Sequence, residues 1–170
     1  MIKKILLFAL VMFPVISFAQ ETKIAYADYA DLVVSMPEYQ QLRDTLLKRE
    51  QAFQDDMKVI SEDFNRKLSE YIAQQETLIE SIKLRREQEL NDIREKAAAY
   101  QQDAEREQAA LEQALFIPIQ AKLQKAIEEV GSENNFLYVF NAQPNAMILL
   151  YVSPNAIDAA PLIKKKLGIQ

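Results

Sequence analysis

Cysteine, histidine and tryptophan are absent from the 170 residues, and glycine occurs only twice. Without thiol or imidazole there is no disulfide, no Cys/His zinc site and no imidazole general base. Two glycines leave little material for a phosphate-cradling loop, so ATP-driven cycling has no P-loop to run on. Catalysis by carboxylates alone survives this exclusion. The pair Asp28 and Asp31 is its example, but nothing beside it supplies a pocket, an electrophile or a pKa-shifting burial pattern. No enzyme, cofactor or metal is therefore expected.

The N-terminal residues read as an export signal. Met1-Ile2-Lys3-Lys4 is basic, the run 5–18 is almost wholly apolar, and Ser17-Phe18-Ala19 places small residues where a signal peptidase reads them. About 14 apolar residues fall short of the roughly 20 needed to span a bilayer. Cleavage after Ala19 removes Lys3 and Lys4, leaving 151 residues with 18 basic and 25 acidic side chains, a formal charge of -7. That balance argues against nucleic acid as a partner, because backbone phosphates need a Lys/Arg-rich face. An exported chain without cysteine must rely on packing or on oligomerisation.

What is present is helix. Residues 38–117 contain no Pro or Gly and are rich in Glu, Gln, Lys, Arg, Ala and Leu, which enter helices at little entropic cost. Ser35-Met36-Pro37-Glu38 reads as a capping box, with Ser35 capping and Pro37 in the first turn. Apolar positions recur in steps of three, four and seven: Tyr39, Leu42, Leu46, Phe53, Met57, Ile60, Phe64, Leu68, Tyr71, Leu78 and Ile82, then Leu90, Ile93, Ala97, Tyr100, Ala104, Leu111 and Leu115. Such narrow stripes need a partner helix. The expectation is an antiparallel hairpin arm over 36–130 with its bend near 74–86, where the stripe thins out. Pro118 should kink the later helix, and Gly131 should end it.

Short strands flank the arm. Lys23-Ile24-Ala25-Tyr26-Ala27 is one; Phe136-Leu137-Tyr138-Val139-Phe140 and Met147-Ile148-Leu149-Leu150-Tyr151-Val152 read as a hairpin around a polar turn. Asp158 can cap a closing helix with Pro161 in its first turn, Leu162, Ile163 and Leu167 inward, Lys164, Lys165 and Lys166 at the favourable end, and Gly168 as the stop. Residues 20–35 and 131–170 thus make one small β-body. Its strands are apolar on both faces with little of their own to cover them, so self-association through 23–34 and 136–167 is expected. The candidate oligomer core is Ile24, Tyr26, Leu137, Val139, Ile148, Leu150 and Val152.

The order of these features resembles the Skp/OmpH family of periplasmic chaperones: a signal peptide, the Lys23-Ile24-Ala25-Tyr26 strand, a long charged helical hairpin, the Pro118-Ile119-Gln120-Ala121-Lys122-Leu123 segment, the Tyr138-Val139-Phe140-Asn141 strand and the closing Lys165-Lys166-Leu167-Gly168-Ile169. The resemblance covers essentially the whole chain after the signal. It implies an α+β, jellyfish-like fold, in which a homotrimer closes its strands into a central β-barrel and extends three helical arms around a cavity. It also implies an ATP-independent holdase that keeps unfolded outer-membrane proteins soluble in the periplasm. This chain departs from the strongly basic charge of the best-known member.

On that reading Phe53, Met57, Phe64, Tyr71, Ile72, Leu78 and Ile82 are candidates for client contact wherever the hairpin does not bury them. Lys83, Arg85 and Arg86 form a basic cluster near the arm midpoint, able to touch acidic clients or, weakly, an anionic membrane surface. The alternative is a solvated helical face balanced by Glu80, Glu87 and Glu89. For the chain as a whole, the competing function is a non-enzymatic coiled-coil structural or adaptor protein of the cell envelope.

Overall fold

The computed structural model describes residues 23–143 and 149–169. The expected signal peptide and the candidates Met147 and Ile148 lie outside that range. The chain is α+β and mostly helical, in the order β1 (Lys23–Ala27), α1 (Tyr29–Ser35), α2 (Pro37–Gln74), α3 (Glu80–Glu133), β2 (Phe136–Asn141), β3 (Ile157–Asp158) and α4 (Ala160–Leu167). Among the described residues no helix is long and apolar enough to cross a membrane.

The helices α2 and α3 lie side by side as two arms, about 57 and 81 Å long at ~1.5 Å per residue. Residues 75–79 join them, in a turn closed by the amides of Thr77 and Leu78 donating to the Gln74 carbonyl. Every member of both apolar stripes is buried or half-buried, because a step of three or four residues keeps a side chain on one helical face. The seam is thin. Away from the base, where α2 buries Leu42 and α3 buries Ile119, Leu123, Ala126 and Val130, Leu90 is the one buried side chain of the two helices, so pairing along the rest of the arms rests on partial burial.

The true core sits at the arm base. Leu32, Met36, Leu123 and Ile163 are fully buried there, together with Ala25, Ala27, Val33, Leu42, Ile119, Ala126, Val130 and Ala159. Helix α1 starts on Asp28, whose Oδ1 accepts from the amides of Ala30 and Asp31. Helix α4 begins beside Asp158, whose Oδ1 accepts from the Ala160 amide at 2.9 Å, and it ends on Gly168 with φ +73°.

The strands depart from the expected hairpin. The sheet order is β2-β1-β3, and both partners run parallel to β1. Residues 149–152 form no strand, and Leu150 is 89% exposed. The free edge of β1 is taken instead by Ile157 and Asp158, with the Ala159 amide donating to the Tyr26 carbonyl at 2.8 Å. The reason lies downstream. Ile163 must bury itself in the core, and docking α4 there delivers residues 157–159 to that edge.

Two local expectations also change, those for Ser35 and Gly131. Ser35 closes α1, donating to the Asp31 carbonyl at 2.7 Å; Met36 is the N-cap of α2, so the capping box does not form. Helix α3 passes through Pro118 without a break. It also passes Gly131 and stops at Asn134, whose side-chain amide donates to the Val130 carbonyl, before Asn135 adopts φ +55°. Asn tolerates that left-handed conformation, so the glycine was not needed as the stop.

Candidate functional site

Two surfaces carry the functional candidates. The first is the sheet face turned away from the helices. Strand alternation sends Ala25 and Ala27 into the core and Ile24 and Tyr26 outward. In the parallel register Ile24 lies opposite Tyr138, and Tyr26 opposite Phe140. These four make one apolar patch, with the Tyr138 and Phe140 rings 5.6 Å apart. A register shift between Lys23 and Ile24 leaves Leu137 as the extra residue of a bulge, which exposes it.

Of the expected oligomer core, Ile24 and Tyr26 lie on this outer face. Leu137 projects from the bulge, and Val139 packs against the chain's own core. Leu150 is exposed, whereas Val152 lines a groove of about 430 Å³ with Ile24, Tyr26, Phe140, Leu149 and Tyr151. Tyr138 and Phe140 were not singled out from sequence. Their alternation with Val139 was the available signal. Asp28 and Asp31 are spent on structure: Asp28 caps α1, and Asp31 pairs with Lys164 at 2.7 Å.

The second surface is the arm. Six of the seven client candidates, Phe53, Met57, Phe64, Tyr71, Leu78 and Ile82, are half-buried, and Ile72 is exposed. The Phe53 ring packs on Tyr100 at 5.6 Å, and the Phe64 ring lies 4.8 Å beneath the Arg94 guanidinium. Arg49 bridges to Glu107 and Lys122 to Glu38, each across the two arms. The Lys122 ammonium holds the Glu38 carboxyl below its ordinary range.

In the basic cluster Lys83 is half-buried, while Arg85 and Arg86 are exposed and both reach Glu89, at 3.4 and 3.3 Å. Besides Ile72, the large apolar side chains that face solvent on the arms are Leu47, Val59, Ile79, Leu84 and Ile117. Each falls outside the stripes, and that displacement was the signal that would have picked them out.

Tyr71 donates its hydroxyl to Glu87 at 2.5 Å, and Tyr100 donates to Asp56 at 2.6 Å. Donation to a carboxylate raises both phenols above their usual 10.0. A folded-state pKa raised above the unfolded one gives stabilisation that is complete below pH 10 and lost as pH rises through the folded values. Lys166 at the body is likewise raised, by Glu133 and then Glu129. The arms should therefore loosen above pH 10. Spin labels at exposed Gln54 and Gln101 should report a broader distance distribution at alkaline pH, and Tyr71→Phe with Tyr100→Phe should abolish the change. An unchanged wild-type distribution would rule the effect out.

Taken together, the geometry offers an apolar sheet face that no described helix covers, at the root of a long, thinly packed hairpin. Among the described residues no cluster of carboxylates could hold a metal ion. Comparison with protein families matches residues 23–167 to the family described as "Outer membrane protein (OmpH-like)". Comparison with curated proteins gives no match.

Proposed function

Since this chain belongs to the OmpH-like family, we propose that it is an ATP-independent holdase that binds unfolded outer-membrane β-barrel polypeptides in the periplasm and prevents their aggregation. The family is associated with periplasmic chaperones of outer-membrane proteins and is not known for catalysis. Three copies join through their sheets into a small central barrel, and their arms enclose the client.

The observation that carries this reading is the outer sheet face of Ile24, Tyr26, Tyr138 and Phe140. Sheets whose strands run parallel are ordinarily covered on both faces. Here the helices cover one face, while among the described residues the other has only the loop that carries Val152 beside it. Burial against further copies supplies the missing cover, and a closed ring also removes the unpaired strand edges.

The arms suit a holdase for a related reason. A seam of half-buried contacts yields more easily than a core, so the arms adapt to clients of different size. Several arms around one chain also raise the effective concentration of weak contacts without making any of them slow to release. Ile72, and those seam residues that splaying uncovers, supply apolar contact in this reading; Lys83, Arg85 and Arg86 lie just past the turn, where they can meet an anionic surface weakly.

The direct test is aggregation. A urea-unfolded outer-membrane barrel protein, diluted into buffer, should stay clear by light scattering when the chain is present at about one trimer per client and no nucleotide is added. Scattering that is unchanged at several-fold excess would defeat the holdase reading and favour an envelope spacer or adaptor.

A further inference from the structure

The net charge of this chain is not spread evenly. Between Pro37 and Glu133 there are 21 Asp and Glu against 14 Lys and Arg, a net -7. The remaining described residues carry three Asp and four Lys. All of the net negative charge of the described chain therefore lies on the arms.

Carboxylates also flank three of the apolar side chains that face solvent. Residues three and four apart are neighbours on a helix surface. Val59, 66% exposed, has Asp55, Asp56, Glu62 and Asp63 at its four such positions, without a cation among them. Leu84, 59% exposed, has Glu80 and Glu87 with Ser81 and Gln88. Leu47, 69% exposed, has Asp44 and Glu50 with Arg43 and Gln51. Asp55, Asp56 and Glu80 take part in no ion pair among the described residues; the neighbouring pairs use Glu62, Asp63 and Glu89.

Resting on the holdase reading, we propose that the arms select cationic clients: unfolded polypeptides of net positive charge in which Lys or Arg sits within a residue or two of an apolar side chain. Such a segment lays its apolar group on Val59, Leu84 or Leu47 and its cation among the flanking carboxylates. Each contact is weak, but it repeats along two helices per copy. An acidic client meets the same apolar positions against like charge and is disfavoured. Selection then comes from the repulsive element as much as from the attractive one.

The test uses the full chain and two unfolded barrel polypeptides, matched in length and apolar content but opposite in net charge. Fluorescence titration at about 0.02 M NaCl should show the cationic polypeptide binding about tenfold more tightly, and most of that difference should vanish by about 0.5 M NaCl, where the screening length falls to a few Å. The double substitution Asp55→Asn, Glu62→Gln should weaken the cationic client severalfold and leave the anionic one unchanged or stronger, with the helical circular dichroism retained.

Equal affinities that do not respond to salt, or tighter binding of the anionic polypeptide, would overturn charge selection and leave the holdase reading intact. Binding of neither polypeptide at any salt concentration would overturn both.

Discussion

Replacing Ile24 and Phe140 together with Asp is expected to turn the assembled protein into monomers and to abolish its protection of unfolded clients. Both side chains lie on the outer sheet face and are more than a third exposed in the single chain, so the chain's own core does not depend on them. In a joined sheet, covering what remains exposed of each would contribute about 1 kcal/mol of apolar burial. Two carboxylates placed in that contact add a desolvation cost of several kcal/mol. A total above ~5 kcal/mol raises the dissociation constant more than ~10³-fold.

Sedimentation at micromolar protomer should show one chain per particle, with far-UV circular dichroism close to wild type. The light-scattering assay should then look like client alone. A particle of unchanged mass would mean that the outer face is not where copies meet, and the central barrel would have to be abandoned.

Truncating Leu123 to Ala should lower thermal stability far more than any comparable change in the arms. Leu123 is fully enclosed at the junction of α3 with the body, and emptying such a site costs about 2–5 kcal/mol, depending on how far the walls relax. For a domain of this size that corresponds to a fall in Tm of about 10 °C. Leu111, half-buried in the seam, loses only part of its contact area when cut to Ala, and the neighbouring helix can shift to close the gap. About 1 kcal/mol or less is expected there.

Paired melting curves at one protomer concentration give the comparison, since assembly makes Tm concentration-dependent. Equal losses would mean that the arms are as tightly packed as the body, leaving no soft element to adapt to clients. The contrast ties energetics to the proposed function, in which a rigid root would hold the copies together while the arms above it yield.

The two residue sets differ in how far they could be read without coordinates. The stripe from Tyr39 to Ile82 and its return from Leu90 to Leu115 are set by local periodicity, because a helix converts spacing directly into a face. The same holds for Gly168 at the end of α4, where one backbone angle decides, whereas the cap position at its start is taken by Ala159 and not by Asp158. Pro37 also lies in a first turn, as its fixed φ and missing amide proton require. Ser35 shows the limit of local reasoning: its hydroxyl had a nearer carbonyl within α1, and that bond competes with capping.

Strand pairing was not legible. Residues 136–140 and 147–152 read as a hairpin because they are close in sequence and both apolar, yet β2 reaches β1 only after the whole length of both arms has intervened. Pairing across such a separation depends on what the rest of the chain must bury. Sequence by itself determined the helical arms, their apolar seam, the cysteine-free and histidine-free chemistry and the excess of negative charge, since each is a property of composition or of near neighbours. Tertiary structure alone decided that β1 is the central strand and that Val139 turns inward while Tyr138 and Phe140 turn outward. Those outcomes follow from burying Ile163 and Leu123 in one shared core, which no local pattern encodes.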